Sequence, residues 1–409
     1  MNLLLQPVTS NSKSSISITG SKSETNRLLL LQALFPNIAI ENISNSDDSE
    51  VMQLALKGGA EIIDIHHAGT AMRFLTAFFA VQEGRTVTLT GSPRMKERPI
   101  KILVDALRQL GAKIEYLESE GFPPIKITGQ KLSKNKVSLP ASVSSQYISA
   151  LLLIASKLEN GIELILEGEI TSVPYIKMTL ALLNEIGVET SFVGNKITVK
   201  SLTQNIESQI LTVESDWSSA SYFYSIVALA NEGTEIILSS YKENSLQGDA
   251  ALVGIYKKMG VKTHFDGNKM TLSKKLNFDF DAVNFDLNNT PDIAQTIVVT
   301  CLGLGIGCHL TGLHTLKIKE TDRLEALKTE LTKLGAKISV TNNSLTLESS
   351  NSIKSNVKIA TYNDHRMAMA FAPLALKVSI IIENAEVVSK SYPDFWNDLK
   401  NIGFQISEI

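Results

Sequence analysis

ALRQLGAKI, residues 106–114, is the stretch that decides the organisation of this chain, because variants of it recur along the whole sequence. Each variant predicts a helix that ends just before a glycine, and several carry a basic residue in the last turn. The glycines are spaced roughly 50 to 75 residues apart, which indicates an internal repeat. The other copies are ALKGGAEI (residues 55–62), LLNEIGV (182–188), YKKMGV (256–261), LTKLGAKI (331–338) and LKNIGF (399–404).

Alternating strands follow most of these helices, and three repeats show a tight turn between two such strands. The turn pairs are Gly194-Asn195, Gly267-Asn268 and Asn342-Asn343, which favour two-residue hairpins. We therefore predict one unit of strand, helix, strand, helix and hairpin (βαβαββ), used six times.

The length of 409 residues predicts two domains, and six repeats divide into three and three. We expect an α/β fold of two similar lobes built around buried helices, with the active site in the cleft between the lobes. Residues 20–214 form the first lobe in this prediction, and residues 1–19 and 215–409 form the second. The second lobe is discontinuous because the last repeat ends soon after Gly403, so an N-terminal strand, residues 2–6 or 15–19, is expected to complete it.

Each repeat also contains a more apolar helix with a polar start, as in TGSKSETNR, residues 19–27, where Ser21 and Glu24 have the spacing of a capping box. Capping alone would explain these polar starts. It does not explain the cations found there, because the positive end of a helix dipole disfavours cations. An anionic ligand at the helix starts would explain them. The starts lie near Ser23, Thr70, Ser144, Ser218, Asp292 and Asp364, and the cations are Lys22, Arg27, Arg73, His365 and Arg366.

Composition excludes several classes of partner. The net charge of −3 provides no bulk attraction to nucleic acid or to an anionic membrane. The chain has no Gly-x-x-x-x-Gly-Lys-Ser/Thr loop, no Gly-x-Gly-x-x-Gly fingerprint and no metal-ligand spacing, so we expect no cofactor and no metal. Cys301 and Cys308 lie in one apolar run and are expected to be buried thiols. With no signal-peptide pattern and no membrane span, a cytoplasmic protein is expected.

Two charged segments suggest anion binding and proton transfer. GSPRMKERPI, residues 91–100, places three cations between two prolines, which restrict the backbone. KIKETDR, residues 317–323, surrounds Glu320 with cations, which lowers the pKa of a carboxylate until a ligand or burial raises it. The alternative is a solvated charge run or a surface ion-pair network of little energetic value. YNDHRMAM (362–369) and SKSYPDF (389–395) add further cations.

These motifs resemble the 5-enolpyruvylshikimate-3-phosphate (EPSP) synthase family along nearly the whole chain. The resemblance implies the enolpyruvyl transferase fold and the activity of a 3-phosphoshikimate 1-carboxyvinyltransferase. Such an enzyme transfers the enolpyruvyl group of phosphoenolpyruvate to the 5-hydroxyl of shikimate 3-phosphate and releases phosphate, by addition and elimination through a tetrahedral intermediate. That reaction belongs to the shikimate pathway to chorismate and the aromatic amino acids. The matching stretches are GSKSETNR, AGTAMR, PRMKERPI, SSQY, SVPY, NSLQGD, TPDIAQT, KETDR, YNDHRMAMA and SKSYPDF.

The resemblance also implies roles for individual residues. Catalysis is expected from Asp292, which takes the 5-hydroxyl proton, from Glu320, which handles the proton at the methylene carbon, and from Lys22. The residues expected to bind phosphoenolpyruvate are Lys22, Gly69, Arg94, Gln146, Arg323, Arg366 and Lys390. The residues expected to bind shikimate 3-phosphate are Lys22, Ser23, Arg27, Ser144, Ser145, Gln146, Ser172, Tyr175, Asp292, Thr315 and Lys319. The partners are these two small molecules, and a monomer is expected.

Three positions depart from the usual family pattern, and two alternative functions stay open. His67 stands where Asn is common, Phe74 where Pro is usual, and Thr315 where Asn is frequent. One alternative is the sister enzyme that acts on UDP-N-acetylglucosamine, which uses a reactive cysteine in the first lobe that this chain lacks. The other is a non-catalytic protein that binds a phosphorylated ligand on the same fold. The presence of both Asp292 and Glu320 argues against the second alternative.

Overall fold

The chain divides into two compact units in a computed structural model that describes residues 1–7, 13–141, 144–202, 206–275 and 282–409. The first unit is Gly20–Val213, and the second unit is Met1–Thr19 together with Glu214–Ile409. Each unit has a hydrophobic core of its own.

Helices and strands alternate along both units. The α-helices are α1 (Lys22–Leu34), α2 (Asp47–Lys57), α3 (Gly69–Ala80), α4 (Pro93–Lys96), α5 (Lys101–Gln109), α6 (Ser145–Ala155), α7 (Val173–Glu185), α8 (Trp217–Leu229), α9 (Leu252–Lys257), α10 (Ala294–Leu304), α11 (Arg323–Lys333), α12 (His365–Phe371) and α13 (Phe395–Asn401). Short 3-10 helices are Gly248–Ala251, Pro291–Ile293, His314–Ile318, Ala372–Leu376 and Ala385–Lys390.

The strands of the first unit and of the N-terminal segment are short. They are β1 (Leu3–Gln6), β2 (Lys13–Ile16), β3 (Ile38–Glu41), β4 (Ile62–Asp64), β5 (Thr86–Thr90), β6 (Lys113–Tyr116), β7 (Ile125–Thr128), β8 (Lys136–Pro140), β9 (Ile162–Glu167), β10 (Thr190–Val193), β11 (Lys196–Val199) and β12 (Gln209–Thr212). The remaining strands are β13 (Glu235–Ser239), β14 (Val261–Asp266), β15 (Lys269–Lys274), β16 (Val283–Asp286), β17 (Cys308–Thr311), β18 (Ile338–Val340), β19 (Leu345–Leu347), β20 (Val357–Ile359), β21 (Ile380–Ile382) and β22 (Gln405–Glu408).

The sheets repeat one pattern, in which a parallel pair is extended by two antiparallel strands. The four-stranded sheets of the described residues have the orders β4-β5-β7-β6, β8-β9-β11-β10, β14-β15-β13-β2, β16-β17-β19-β18 and β20-β21-β1-β22. Strands β5, β9, β13, β17 and β21 each pair parallel on one side and antiparallel on the other. The N-terminal strands complete two sheets of the second unit: β1 pairs with β21 and β22, and β2 pairs with β13.

The prediction of a hairpin in all six repeats is wrong for the first repeat and for the last, in which β22 pairs antiparallel with the N-terminal strand β1 and not with a strand next to it in the chain. Among the described residues, the sheet of the first repeat contains only β3 and β12, which pair parallel. The chain passes from α2 directly into β4, which pairs with β5 of the next sheet. The glycine that follows α2 differs accordingly. Gly58 has an extended backbone, with φ of −80°, whereas Gly111 ends α5 with φ of +105°, the left-handed conformation that ends helices.

The core of each unit contains helices that are buried around most of their circumference, as expected for helices surrounded by other elements. Every residue of α3 is buried, and α3 packs against α1 and α6 in the first unit. In the second unit α10 packs against α8 and α12. Cys301 and Cys308 are free and buried in this second core, as predicted. No helix among the described residues is long and apolar enough to cross a membrane.

Candidate active site

One buried guanidinium organises the charged residues of the second unit. Arg323 opens α11, is 1% exposed, and reaches three carboxylates. Its Nε donates to Asp364 Oδ2 at 2.7 Å, its Nη1 to Asp292 Oδ1 at 2.9 Å and its Nη2 to Glu320 Oε2 at 2.8 Å. Such charge-assisted bonds are the strong ones in proteins. Arg323 thereby brings together both carboxylates predicted to transfer protons.

Asp292 lies among three cations. Besides Arg323, Lys319 Nζ is 3.3 Å from Asp292 Oδ1, and Arg366 Nη2 is 3.4 Å from Asp292 Oδ2. Burial alone would raise the pKa of Asp292, but Lys319, Arg366 and Arg323 outweigh it and hold the pKa well below the usual range of an aspartate. Asp292 is therefore ionised at neutral pH.

Arg366 connects the starts of two buried helices of the second unit. Its guanidinium donates to the carbonyl oxygen of Asp292 and to Ser218 Oγ, both at 3.2 Å. Ser218 in turn donates to the carboxylate of Asp249, which also accepts from Thr290. The sequence identified Ser218 only as a helix start and NSLQGD only as a motif, and no pattern signalled that Asp249 would stand behind Arg366.

Lys390 and Thr315 complete the predicted residues of the second unit. Lys390 Nζ donates to the carbonyl oxygen of Asn363 at 2.7 Å and to its side-chain oxygen at 3.1 Å. Thr315 is buried in a 3-10 helix, and its hydroxyl has no hydrogen-bond partner among the described residues.

Hydrogen bonds of Arg27 connect α1 to α6 and α7 in the first unit. It is 2% exposed, and its guanidinium donates to Thr179 Oγ1 at 2.8 Å, to Ser149 Oγ at 2.9 Å and to the carbonyl oxygen of Ser23 at 2.6 Å. Burial lowers the pKa of Arg27 to about 10, so the side chain is still charged at neutral pH. Most of its donors are used inside the unit.

The other predicted residues of the first unit lie at helix starts. Lys22 begins α1 and pairs with Asp48 at 3.5 Å. The helix start after Ser21 is confirmed, but the capping bond is wrong, because the Ser21 hydroxyl makes no cap bond. Ser144 caps α6 by accepting from the Gln146 backbone N–H, and Gln146 Nε2 donates to Thr70 Oγ1 at 3.2 Å. The remaining residues are Ser145, at the first position of α6, Ser172, left-handed at the start of α7, and Tyr175, whose carbonyl accepts from Arg27.

Two arginines of PRMKERPI have different surroundings. A Cβ atom on Gly69, the first residue of α3, would lie 2.6 Å from Arg98 Nη1, so the Arg98 guanidinium covers the start of that helix. It makes no hydrogen bond or ion pair with the described residues. Arg94 instead pairs with Glu97 at 2.9 Å, and the Arg94 side chain is 49% exposed. The sequence resemblance named Arg94 as a binding residue and did not name Arg98.

Comparisons with known proteins assign the family. The family model for EPSP synthase (3-phosphoshikimate 1-carboxyvinyltransferase) matches residues 56–399. The chain is 46% identical to the 3-phosphoshikimate 1-carboxyvinyltransferase of Bacteroides fragilis strain YCH46, over 96% of each chain. It is 38% identical to the protein of that name from Sulfurovum sp. strain NBC37-1, over 95% of this chain and 96% of the relative. This chain belongs to the EPSP synthase family.

Solved structures agree on the fold of this EPSP synthase family member. EPSP synthase from Acinetobacter baumannii superposes with a TM-score of 0.80 at 22% identity, over the full length of both chains. The enolpyruvyl transferase NikO from Streptomyces tendae superposes with a TM-score of 0.74 at 15% identity, over 99% of this chain and 98% of NikO. The predicted enolpyruvyl transferase fold is confirmed.

Two departures from the usual EPSP synthase pattern have local partners in the structure. His67 Nδ1 lies 2.9 Å from Ser92 Oγ, the residue that caps α4. Phe74 is buried, and the centre of its ring lies 5.4 Å from the guanidinium carbon of Arg27, a cation–π distance. Phe74 therefore helps to hold Arg27 in place. Among the described residues no cluster of His, Cys, Asp and Glu has the composition of a metal site.

Proposed function

We propose that this member of the EPSP synthase family transfers the enolpyruvyl group of phosphoenolpyruvate to the 5-hydroxyl of shikimate 3-phosphate and releases phosphate. The observation that carries the proposal is the pair of carboxylates, Asp292 and Glu320, bound to one buried guanidinium. Two proton transfers need two positioned carboxyl groups, and two anionic substrates need several fixed cations. The cluster around Arg323 supplies both.

The proposed contacts to phosphoenolpyruvate follow the cations and helix starts. We assign Arg98 to this substrate in place of Arg94. The Arg98 guanidinium lies at the start of α3 and has no hydrogen-bond or ion-pair partner among the described residues, while Arg94 is half-exposed and paired with Glu97. A guanidinium and a helix N-terminus together suit a phosphate or a carboxylate. The other assigned residues are Lys22, Gly69, Gln146, Arg323, Arg366 and Lys390.

Shikimate 3-phosphate is assigned to hydroxyl groups and cations. Ser144 and Ser145 lie at the start of α6, where their hydroxyls and the positive end of the helix dipole suit a phosphate. Arg27 is already fixed by its internal bonds, so its remaining donor would contact the substrate at little cost in side-chain entropy. The other assigned residues are Lys22, Ser23, Gln146, Ser172, Tyr175, Asp292, Thr315 and Lys319.

In the proposed mechanism Asp292 accepts the proton of the 5-hydroxyl of shikimate 3-phosphate. At the same time the hydroxyl oxygen adds to the carbon of phosphoenolpyruvate that carries the phosphate. Glu320 delivers a proton to the methylene carbon, which gives a tetrahedral intermediate. When the C–O bond to phosphate breaks, the phosphate leaves with the proton that Asp292 had accepted, which returns Asp292 to its ionised form. Glu320 takes a proton back from the methyl carbon, and the enol ether remains. Because Lys319 and Arg366 hold the pKa of Asp292 low, their engagement by anionic substrates would raise it and make Asp292 a stronger base.

The test of the function is phosphate release from phosphoenolpyruvate by the full chain, measured with shikimate 3-phosphate and separately with UDP-N-acetylglucosamine. We expect turnover only with shikimate 3-phosphate. Equal turnover with both acceptors, or with the sugar nucleotide alone, would move the assignment to the sister enzyme. Binding of shikimate 3-phosphate without phosphate release would favour the non-catalytic alternative.

We further infer a monomer in the cytoplasm. Each unit has its own hydrophobic core, and both described cysteines are free and buried, which fits a reducing compartment. Light scattering coupled to size-exclusion chromatography should give a mass near the 44.6 kDa of one chain. A mass of twice that value would contradict the monomer.

A further inference from the structure

A buried carboxylate that the proposed mechanism does not use lies two turns along α11 from Arg323. Glu330 is fully buried. Its carboxylate accepts from the Tyr362 hydroxyl at 2.6 Å, from the Ala360 backbone N–H at 3.2 Å and from Lys333 Nζ at 2.7 Å. Two of these donors belong to one short segment, residues 360–364, which leads into α12.

That segment has an unusual backbone. Tyr362 and Asn363 are consecutive left-handed residues, with φ of 54° and 57°. Asn tolerates this conformation, but a bulky residue such as Tyr is strained there, at a cost of about 1 to 3 kcal/mol. The Tyr362 side chain is 38% exposed, so burial of its ring does not account for the conformation. The hydrogen bonds that Ala360 and Tyr362 donate to Glu330 account for the left-handed conformation.

The strained pair determines where substrate-binding groups lie. The Asn363 carbonyl and side-chain oxygens both accept from Lys390 Nζ. The next residue, Asp364, accepts from Arg323 Nε and from the backbone N–H of Arg366. Helix α11 therefore holds the segment at two points, through Arg323 near its start and through Glu330 near its end.

We infer that Glu330 and Tyr362 are positioning residues for the phosphoenolpyruvate contacts made by Lys390 and Arg366. The inference rests on the proposed function, and neither residue touches substrate in it. Without the Tyr362–Glu330 bond, residues 362 and 363 relax toward the right-handed region. The carbonyl oxygen of Asn363 then turns away from Lys390, and the Lys390 ammonium is no longer held in position.

The bond is available throughout the neutral pH range. Burial and the bond to Glu330 raise the pKa of Tyr362 to about 12. Its hydroxyl therefore keeps its proton and donates to the carboxylate at every pH at which the enzyme is assayed. The positioning role consequently adds no ionisation of its own to the pH profile near neutrality.

The experiment measures KM for both substrates and kcat in Tyr362→Phe of the full chain. Loss of one hydrogen bond to a charged group, followed by displacement of Lys390, should raise KM for phosphoenolpyruvate about fivefold or more, while KM for shikimate 3-phosphate stays within about twofold. The matched control is Tyr224→Phe, which removes a hydroxyl bonded to Thr263 Oγ1 at 2.8 Å in the same unit. The control should leave both KM values unchanged.

A second variant keeps the inference testable if Tyr362→Phe folds poorly. Glu330→Gln keeps the size of the side chain but weakens the bonds to Tyr362 and Ala360, and should raise the same KM in the same direction. Unchanged KM for phosphoenolpyruvate in both variants, with a lower melting temperature, would make the pair purely structural and overturn the inference. A wild-type chain that releases no phosphate would instead refute the proposed function, so the two failures are distinguishable.

Discussion

Replacing Arg98 should impair phosphoenolpyruvate binding far more than replacing Arg94, although both arginines lie in the same heptapeptide. The Arg98 guanidinium covers the start of α3 and makes no hydrogen bond or ion pair with the described residues. It is thus available to an anion, and a hydrogen bond to a charged group is worth about 1.5 to 3 kcal/mol. Arg98→Ala should therefore raise KM for phosphoenolpyruvate by about 10- to 150-fold.

Arg94→Ala provides the matched control. Its ion pair with Glu97 joins side chains that are 49% and 64% exposed, and such pairs contribute about 0 to 1 kcal/mol. This change should alter KM by less than about fivefold. Initial rates of phosphate release at saturating shikimate 3-phosphate give KM and kcat, and thermal unfolding checks that both variants fold. A larger loss in Arg94→Ala than in Arg98→Ala would refute the reasoning and restore the assignment made from sequence.

Three more changes test the start of α3, the proton acceptor and a buried amide of the second unit. Gly69→Ala puts a methyl group 2.6 Å from Arg98 Nη1; the flexible guanidinium must move, so KM for phosphoenolpyruvate should rise while the melting temperature changes little. Asp292→Asn should lower kcat by roughly 100-fold or more, and an unaffected kcat would exclude the proton transfer. The pKa of Asp292 is lower in the folded protein than in the unfolded chain, so ionised Asp292 stabilises the fold above the unfolded pKa of about 4, and this stabilisation is lost as the pH falls toward the folded pKa. In urea titrations at decreasing pH, the free energy of unfolding of Asp292→Asn should therefore fall less steeply than that of the wild type. Gln295 is fully buried, and neither of its amide atoms has a hydrogen-bond partner among the described residues, so Gln295→Met should raise the free energy of unfolding by about 1 to 3 kcal/mol. A lower value there would show that the amide is satisfied in solution.

The repeat was predictable from sequence because its signals are local. A glycine such as Gly111 or Gly335, with φ of +105° and +97°, ends a helix by its own backbone freedom. The first repeat was not predictable in the same way. Gly58 has a similar sequence context, but β3 pairs with β12 from the far end of the unit. Pairing between such distant segments cannot be recognised from a short stretch of sequence.

The candidate site shows the same division. Helix starts and their polar residues could be read from the chain, and Arg323 does bring Asp292 and Glu320 together. The choice between Arg94 and Arg98 could not be made, because α4 is only four residues long and spacing alone does not say which side chain turns toward Gly69. Asp249 was missed because a bond that joins it to Ser218 across 31 positions has no sequence signal.

The charges of the second unit suggest why so many cations coexist with carboxylates before any substrate is bound. Arg323, Lys319 and Arg366 contact Asp292, Glu320 and Asp364, so the formal charges of these six residues cancel. This cancellation lowers the free-energy cost of burying the cations, since an unpaired buried charge strongly destabilises a fold. In the proposed mechanism, an incoming phosphate or carboxylate would share these cations with Asp292 and Glu320. Each cation contact that the substrate takes would raise the proton affinity of the carboxylate that loses it, so substrate binding would itself prepare the proton acceptor.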